Sequence, residues 1–335
     1  MLDPPDLPLE RIIATVRQQY GLQPTAVNFL PLGRDVRSWA FRVATADAAY
    51  FLKLRQGSVR EATLRVPRYL VEQGVSHIVA PLPTRAQRLW VAVDGFTLAL
   101  YPFIDGTTGM AHGLEAHHWR AFGAALRAMH DTQLAPDLGP IVPRETFTSG
   151  LSDAVRALDA RIDTQIFTDA SERDLAAFWQ RLRAKIRALV EQFEALGRRL
   201  RAAQPPLVLC HADVHPNNLL IDLNDQLWLV DWDDALLAPK ECDLMMGVGG
   251  LGNYPAGSRE AGWFLAGYGS TEIDPVALAY YRHVRALGDI VANGELVLQL
   301  PGASEATRRN GLWGMKQLFA PGHIVSLALP RQGDG

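Results

Sequence analysis

The chain has 335 residues, 48% hydrophobic and 21% charged, a balance that excludes disorder, collagen and coiled coil. At roughly 150 residues per domain, that length predicts about two lobes. With 33 Lys and Arg against 36 Asp and Glu the formal charge is −3, so no whole-protein field draws the molecule to nucleic acid.

Two cysteines, Cys210 and Cys242, supply neither a disulfide framework nor a four-ligand zinc site, which fits a reducing compartment. The acidic start Met1-Leu2-Asp3-Pro4-Pro5-Asp6 lacks the pattern of a secretory signal, and no stretch approaches the roughly 20 apolar residues of a membrane span. The expectation is a cytoplasmic protein with neither membrane nor nucleic-acid partners.

An amphipathic helix carrying Leu9, Ile12, Ile13, Val16 and Tyr20 comes first. Alternation in Trp39, Phe41 and Val43, and again over residues 50–54, then predicts strands. Residues 59–73 read as a helix ended by Gly74 and kinked at Pro67, because proline removes a backbone donor. Strands follow at residues 89–93 and 96–103. From Asp105 helices dominate: 116–130, 152–162, a long one at 171–201, and more after Asp243. A hairpin island interrupts them, with strands at 207–210, 219–222 and 226–231 and Asn224-Asp225 as its turn. The pattern is α+β: a small β-rich N-terminal lobe over 1–104, ending in a connector, and a larger helical lobe over 105–335.

The island carries His211-Ala212-Asp213, then Asn218, then Asp231-Trp232-Asp233. Phosphoryl transfer needs a carboxylate to orient the attacking hydroxyl and oxygen ligands for the Mg²⁺ that bridges the phosphates. Asp213, Asn218 and Asp231, placed at strand ends and in the loop between, supply that set. Turn chemistry alone could place Asp and Asn at strand ends, but it does not explain the combined spacing.

That spacing resembles the protein-kinase-like phosphotransferases, H-x-D-x-x-x-x-N followed by an aspartate motif after a hairpin. The resemblance implies a bilobal protein-kinase-like fold using ATP and Mg²⁺, with Asn218 and Asp231 as metal ligands. Lys53, in the apolar strand Tyr50-Phe51-Leu52-Lys53-Leu54, is then the cation for the phosphates, with Glu61 on the next helix as its partner. Gly33 and Ser38 lie in a loop that could cover the phosphates, although a single glycine makes a weak motif. The resemblance also puts Tyr101 and Phe103 in the connector beside the purine, with Leu220 and Val230 beneath it. Gly247-Val248-Gly249-Gly250-Leu251-Gly252 satisfies a dinucleotide fingerprint but lacks the preceding strand that such a site requires. His112, His117 and His118 invite a metal reading, yet no carboxylate or cysteine cluster lies beside them in sequence. A solvated loop is expected there.

Only residues 232–242 separate Asp231 from Asp243-Leu244, too few for a peptide platform, and His211-Ala212-Asp213 lacks the arginine of protein kinases. A small-molecule acceptor is favoured. The run from Asp231-Trp232-Asp233-Asp234 to Ala238-Pro239-Lys240-Glu241-Cys242-Asp243-Leu244-Met245 resembles the aminoglycoside phosphotransferase family, in particular its spectinomycin branch. Tyr101-Pro102-Phe103-Ile104 and Tyr280-Tyr281-Arg282-His283 extend the likeness. It implies that Asp213 orients an antibiotic hydroxyl and that Asp243 braces the loop. The surplus of carboxylates at Asp213, Asp233, Asp234 and Glu241 suits a small cationic hydroxylated acceptor. Kinases of choline, homoserine or macrolides, and a nucleotide-binding pseudokinase, are the alternatives.

Overall fold

The computed structural model describes residues 4–32, 37–248, 257–299 and 304–329. Its contacts group into two compact units, residues 1–143 with 209–237, and residues 144–208 with 238–335. This division differs from the expected lobe boundary at residue 104. The segment 105–143 and the hairpin island group with the N-terminal strands through contacts between residues far apart in sequence, which local periodicity does not register.

The first unit opens with α1 (Leu9–Thr15), continued by one wider turn to Tyr20. A five-stranded antiparallel sheet follows, ordered β1-β2-β3-β5-β4 from β1 (Ala26–Leu30), β2 (Ser38–Ala44), β3 (Ala49–Gln56), β4 (Val91–Val93) and β5 (Phe96–Pro102). Alternation decides its faces. Val43, Leu52, Leu54, Leu98 and Leu100 are all 0% exposed and pack with Ile12 and Val16 as one core. Each such side chain contributes about 1.5–3 kcal/mol of burial, so a one-residue register slip is heavily penalised. Lys53 and Arg55, offset by one from the core residues, therefore emerge on the opposite face.

α2 (Ala62–Glu72) runs unbroken through Pro67, where the sequence predicts a kink. Thr63, Leu64, Val66, Pro67 and Leu70 are buried, and this packing compensates the backbone bond that proline cannot donate. After β5 come β6 (Gly106–Thr108), the single turn α3 (Gly109–His112) and α4 (Ala116–Asp131). β6 pairs with β8 (Leu219–Asp222), and β8 with β9 (Leu227–Leu229), as a three-stranded antiparallel sheet. Gly106 is required at that crossing, because a Cβ there would lie 2.0 Å from the Ile221 carbonyl oxygen. β7 (Val208–Cys210) and β10 (Leu236–Ala238) form a separate pair.

The second unit is helical: α5 (Leu151–Thr164), α6 (Ala170–Ala203), α7 (Glu241–Val248), α8 (Arg259–Tyr268), α9 (Pro275–Leu298), α10 (Glu305–Leu318) and α11 (Ile324–Ala328). Phe193 of α6 stacks on Tyr280 of α9 at 5.1 Å. Gly247, the first glycine of the dinucleotide-like run, lies inside α7, where a Cβ would meet the Phe264 ring at 2.5 Å. It is a helix-packing glycine. No helix among the described residues is long and apolar enough to cross a membrane.

Candidate active site

The site is built on the β8–β9 hairpin and the loop that precedes it. Asp222 closes the hairpin: its Oδ1 accepts the backbone N–H groups of Asn224 (2.8 Å) and Gln226 (2.9 Å), and its Oδ2 accepts the Trp228 indole N–H (2.9 Å). Leu219, Ile221, Leu227 and Leu229 fill the buried face. Leu220 and Val230 share the other, half-exposed face, where a flat apolar ring would find a floor.

The loop is fastened to the hairpin at both ends of Val230. Its N–H donates to the Asn218 carbonyl (3.0 Å), and its carbonyl accepts from Nε2 of the buried His211 (3.0 Å). His211 Nδ1 accepts the Asp213 N–H (3.4 Å), which leaves the ring proton on Nε2. Asn218 Nδ2 donates to the Asp213 carbonyl (2.9 Å) and to Asp213 Oδ2 (3.2 Å). His215 Nδ1 accepts the Asn217 N–H (3.2 Å), so its Nε2–H faces Asp213 Oδ2 at 3.4 Å. Asp213 is thus oriented by two donors, one of which, His215, sequence reasoning missed. The order H-x-D-x-H was legible in the chain, but nothing in it marks the second histidine as a partner.

Three non-glycine residues here are left-handed, Ala212 (φ 69°), Asp225 in the hairpin turn (φ 60°) and Asp231 (φ 65°). Each conformation costs on the order of 1 kcal/mol or more and persists only where surrounding bonds impose it. At Asp231 it turns the carboxylate toward Lys53.

Lys53 Nζ lies 3.1 Å from Asp231 Oδ1 and 2.8 Å from Asp233 Oδ2. Desolvation pulls the lysine pKa down, but these two carboxylates outweigh it and hold the ammonium above its ordinary value. Arg55 reaches Asp233 Oδ2 at 3.3 Å, and Arg60 bonds the Asp233 carbonyl and approaches Asp234 Oδ1 at 3.4 Å. Asp234 moves the other way from a paired acid. Desolvation first, then the like charge of Asp213, raises it above the usual aspartate range, with Arg60 opposing. Lys53, Arg55, Thr63, Thr97, Tyr101 and Asp233 line a small cleft beside α2. The phenol of Tyr101 is also pushed up by burial.

Other expected residues make different contacts. Glu61 precedes α2 and pairs with Arg65 one turn on (3.2 Å), so the partner of Lys53 comes from the hairpin end and not from the helix. Glu241, expected among the acceptor carboxylates, is 4% exposed and its Oε1 accepts the Asp274 N–H (3.0 Å), a bond within the helical unit. Asp243 is likewise buried in α7. Ser38 opens β2 opposite Arg55, and Gly33 lies outside the described residues. The Phe103 N–H is spent on the Ala49 carbonyl (3.3 Å), with the Arg42 guanidinium 5.1 Å from its ring centre.

The donor set fits Mg²⁺. Asn218 spends its amide nitrogen on Asp213, leaving the amide oxygen as the atom offered to a cation, and Asp231 adds a half-exposed carboxylate; hard oxygen ligands of this kind suit Mg²⁺.

The family model described as "Phosphotransferase enzyme family" matches residues 28–285. Among solved structures, the chain is similar to spectinomycin phosphotransferase APH(9)-Ia in complex with ADP and spectinomycin: 28% identity, TM-score 0.88, covering 97% of this chain and 99% of that one. The AMP-bound complex of the same enzyme gives a TM-score of 0.83 at 28% identity, covering 96% and 98%. An ethanolamine kinase from Plasmodium vivax, at 15% identity and TM-score 0.54 over 89% of this chain and 83% of that one, shares the fold alone.

Proposed function

The chain belongs to the phosphotransferase enzyme family, with the bilobal kinase-like fold of an O-phosphotransferase, and from that premise we propose that it transfers the γ-phosphoryl group of ATP to a hydroxyl of an aminocyclitol antibiotic of the spectinomycin class. In this reading it acts in the cytoplasm and confers resistance. The observation that carries the acceptor class is the surplus of carboxylate around Asp213, with Asp234 raised above its ordinary range partly by like charge. An ammonium group relieves that repulsion. At 4 Å and an effective dielectric of 20, one such pair has a Coulomb attraction of about 4 kcal/mol before desolvation, so a dicationic aminocyclitol outcompetes a neutral sugar.

Asp213, oriented by Asn218 and His215, takes the proton of the acceptor hydroxyl as its oxygen bonds to the γ-phosphorus and the bond to ADP breaks. Lys53 shifts from Asp231 and Asp233 to the entering phosphates, while Arg55 and Arg60 keep Asp233 engaged. Asn218 and Asp231 would hold Mg²⁺, which neutralises phosphate charge when bound. Leu220 and Val230 would underlie the purine, with Tyr101 and Phe103 at its edge; Ser38 and Gly33 belong to the loop over the phosphates.

The test supplies Mg-ATP with spectinomycin, other aminocyclitols, choline, homoserine and a macrolide, and follows ADP. Spectinomycin should stimulate release well above the rate without acceptor. Stimulation by choline, homoserine or the macrolide alone would replace the acceptor, and no turnover with any of them would favour the pseudokinase alternative.

A further inference from the structure

Three histidines around α3 and the start of α4, with only Glu115 as a carboxylate near them in sequence, meet a second one in space. The hairpin turn delivers Asp225, held at φ 60°, into their midst. His118 Nε2 lies 2.9 Å from Asp225 Oδ1, His117 Nε2 2.9 Å from Oδ2, and His112 Nε2 4.0 Å from Oδ1. One ligand atom from each of His112, His118 and Asp225 falls within 4.8 Å of the others. We propose that these three residues form a binding site for a borderline divalent transition ion such as Zn²⁺ or Co²⁺, separate from the Mg²⁺ position at Asn218 and Asp231.

Ligand bonds of about 2.0–2.2 Å in a tetrahedron place donor atoms roughly 3.4 Å apart. The observed 2.9 and 4.0 Å to Asp225 Oδ1 bracket that separation, and the three ligand atoms all lie within 4.8 Å of one another. His112 is prepared for the role, since its Nδ1–H donates to the Gly113 carbonyl (2.9 Å) and leaves the Nε2 lone pair toward Asp225. His118 carries its proton on Nε2, because Nδ1 accepts the Glu115 N–H (3.1 Å). Ligation moves that proton to Nδ1 and releases the Glu115 N–H to water. His117, with Nδ1 3.9 Å from Glu115 Oε2, flanks the site as a further donor. Two imidazoles and one carboxylate with open positions suit zinc and its neighbours better than Mg²⁺. A bound ion would pin the segment around α3 to the turn of the hairpin that carries Asn218 and Asp231.

Co²⁺ is titrated into the full chain with excess Mg²⁺ and ADP present, reading its visible d–d absorption, then displaced with Zn²⁺. His112→Ala and Asp225→Asn are compared; asparagine tolerates the left-handed turn. The expected result is one equivalent bound, at least ten-fold weaker in either variant, with a Zn²⁺-dependent rise in Tm that the Asp225→Asn protein lacks. Equal binding by the wild type and both variants, a cobalt–thiolate charge-transfer band reporting Cys210 or Cys242, or no d–d absorption at all would overturn the site.

Discussion

The two units treat clustered charge in opposite ways. In the helical unit Asp159, its side chain 17% exposed, accepts bonds from the Trp179 indole (2.8 Å), Arg183 (2.7 Å) and Arg187 (3.0 Å). Although desolvation raises that carboxyl, those bonds outweigh it and hold it below its ordinary range. In the strand-bearing unit, Asp213, Asp231, Asp233 and Asp234 crowd one region against Lys53, Arg55 and Arg60, and Asp234 is displaced upward. The first arrangement is complete within the protein. In the proposed function the second is completed by a polyphosphate, a divalent ion and a cationic acceptor, so that its repulsion serves binding at the expense of stability.

Each side of that contrast can be broken separately. The largest effect belongs to Asp213→Ala, expected to lower kcat by about 10²–10⁴ while leaving ADP affinity and Tm nearly unchanged; a parallel loss of nucleotide affinity would contradict its role toward the acceptor. Lys53→Met should raise KM for ATP at least ten-fold, with the larger change on the nucleotide side in steady-state kinetics. Asp159→Ala should cost about 2 kcal/mol in urea denaturation, since it leaves the indole N–H of the buried Trp179 without its acceptor and removes a partner from Arg183 and Arg187, with kcat intact in the folded protein.

The pH dependence of that last effect follows from its sign. Because the folded pKa of Asp159 is depressed, its contribution is present above the unfolded value and is lost as pH falls through the folded one. The stability gap between wild type and Asp159→Asn should therefore narrow on acidification. Ala212→Gly should have the smallest effect. Relief of the left-handed strain offsets the entropy that glycine adds to the unfolded chain, giving a change under about 1 kcal/mol.

The sequence exposed those features whose signal is local. Alternation marked β2, β3, β8 and β9, and the spacing His211, Asp213, Asn218, Asp231 marked the site because strand ends and the tight loop fix where such residues emerge. β6 and β10, three residues each, went unread. The true partners of Lys53 stand 178 and 180 residues away, beyond any periodic pattern, so Glu61 was the nearest acid on offer. Glu241 has the composition of an acceptor residue but is consumed by the Asp274 backbone, and His215 and Asp225 acquire meaning only once the loop and the hairpin turn have folded.

In the proposed function, Lys53, Asp213, Asn218 and Asp231 surround one metal-bound nucleotide. Mn²⁺ binding, followed by its electron paramagnetic resonance with and without ATP, tests it most directly. The account predicts that wild type binds Mn²⁺ tightly only when ATP is present, and that Asp231→Ala loses that ATP-dependent binding by 100-fold or more while remaining folded. Equal Mn²⁺ binding by the two proteins in the presence of ATP would contradict it.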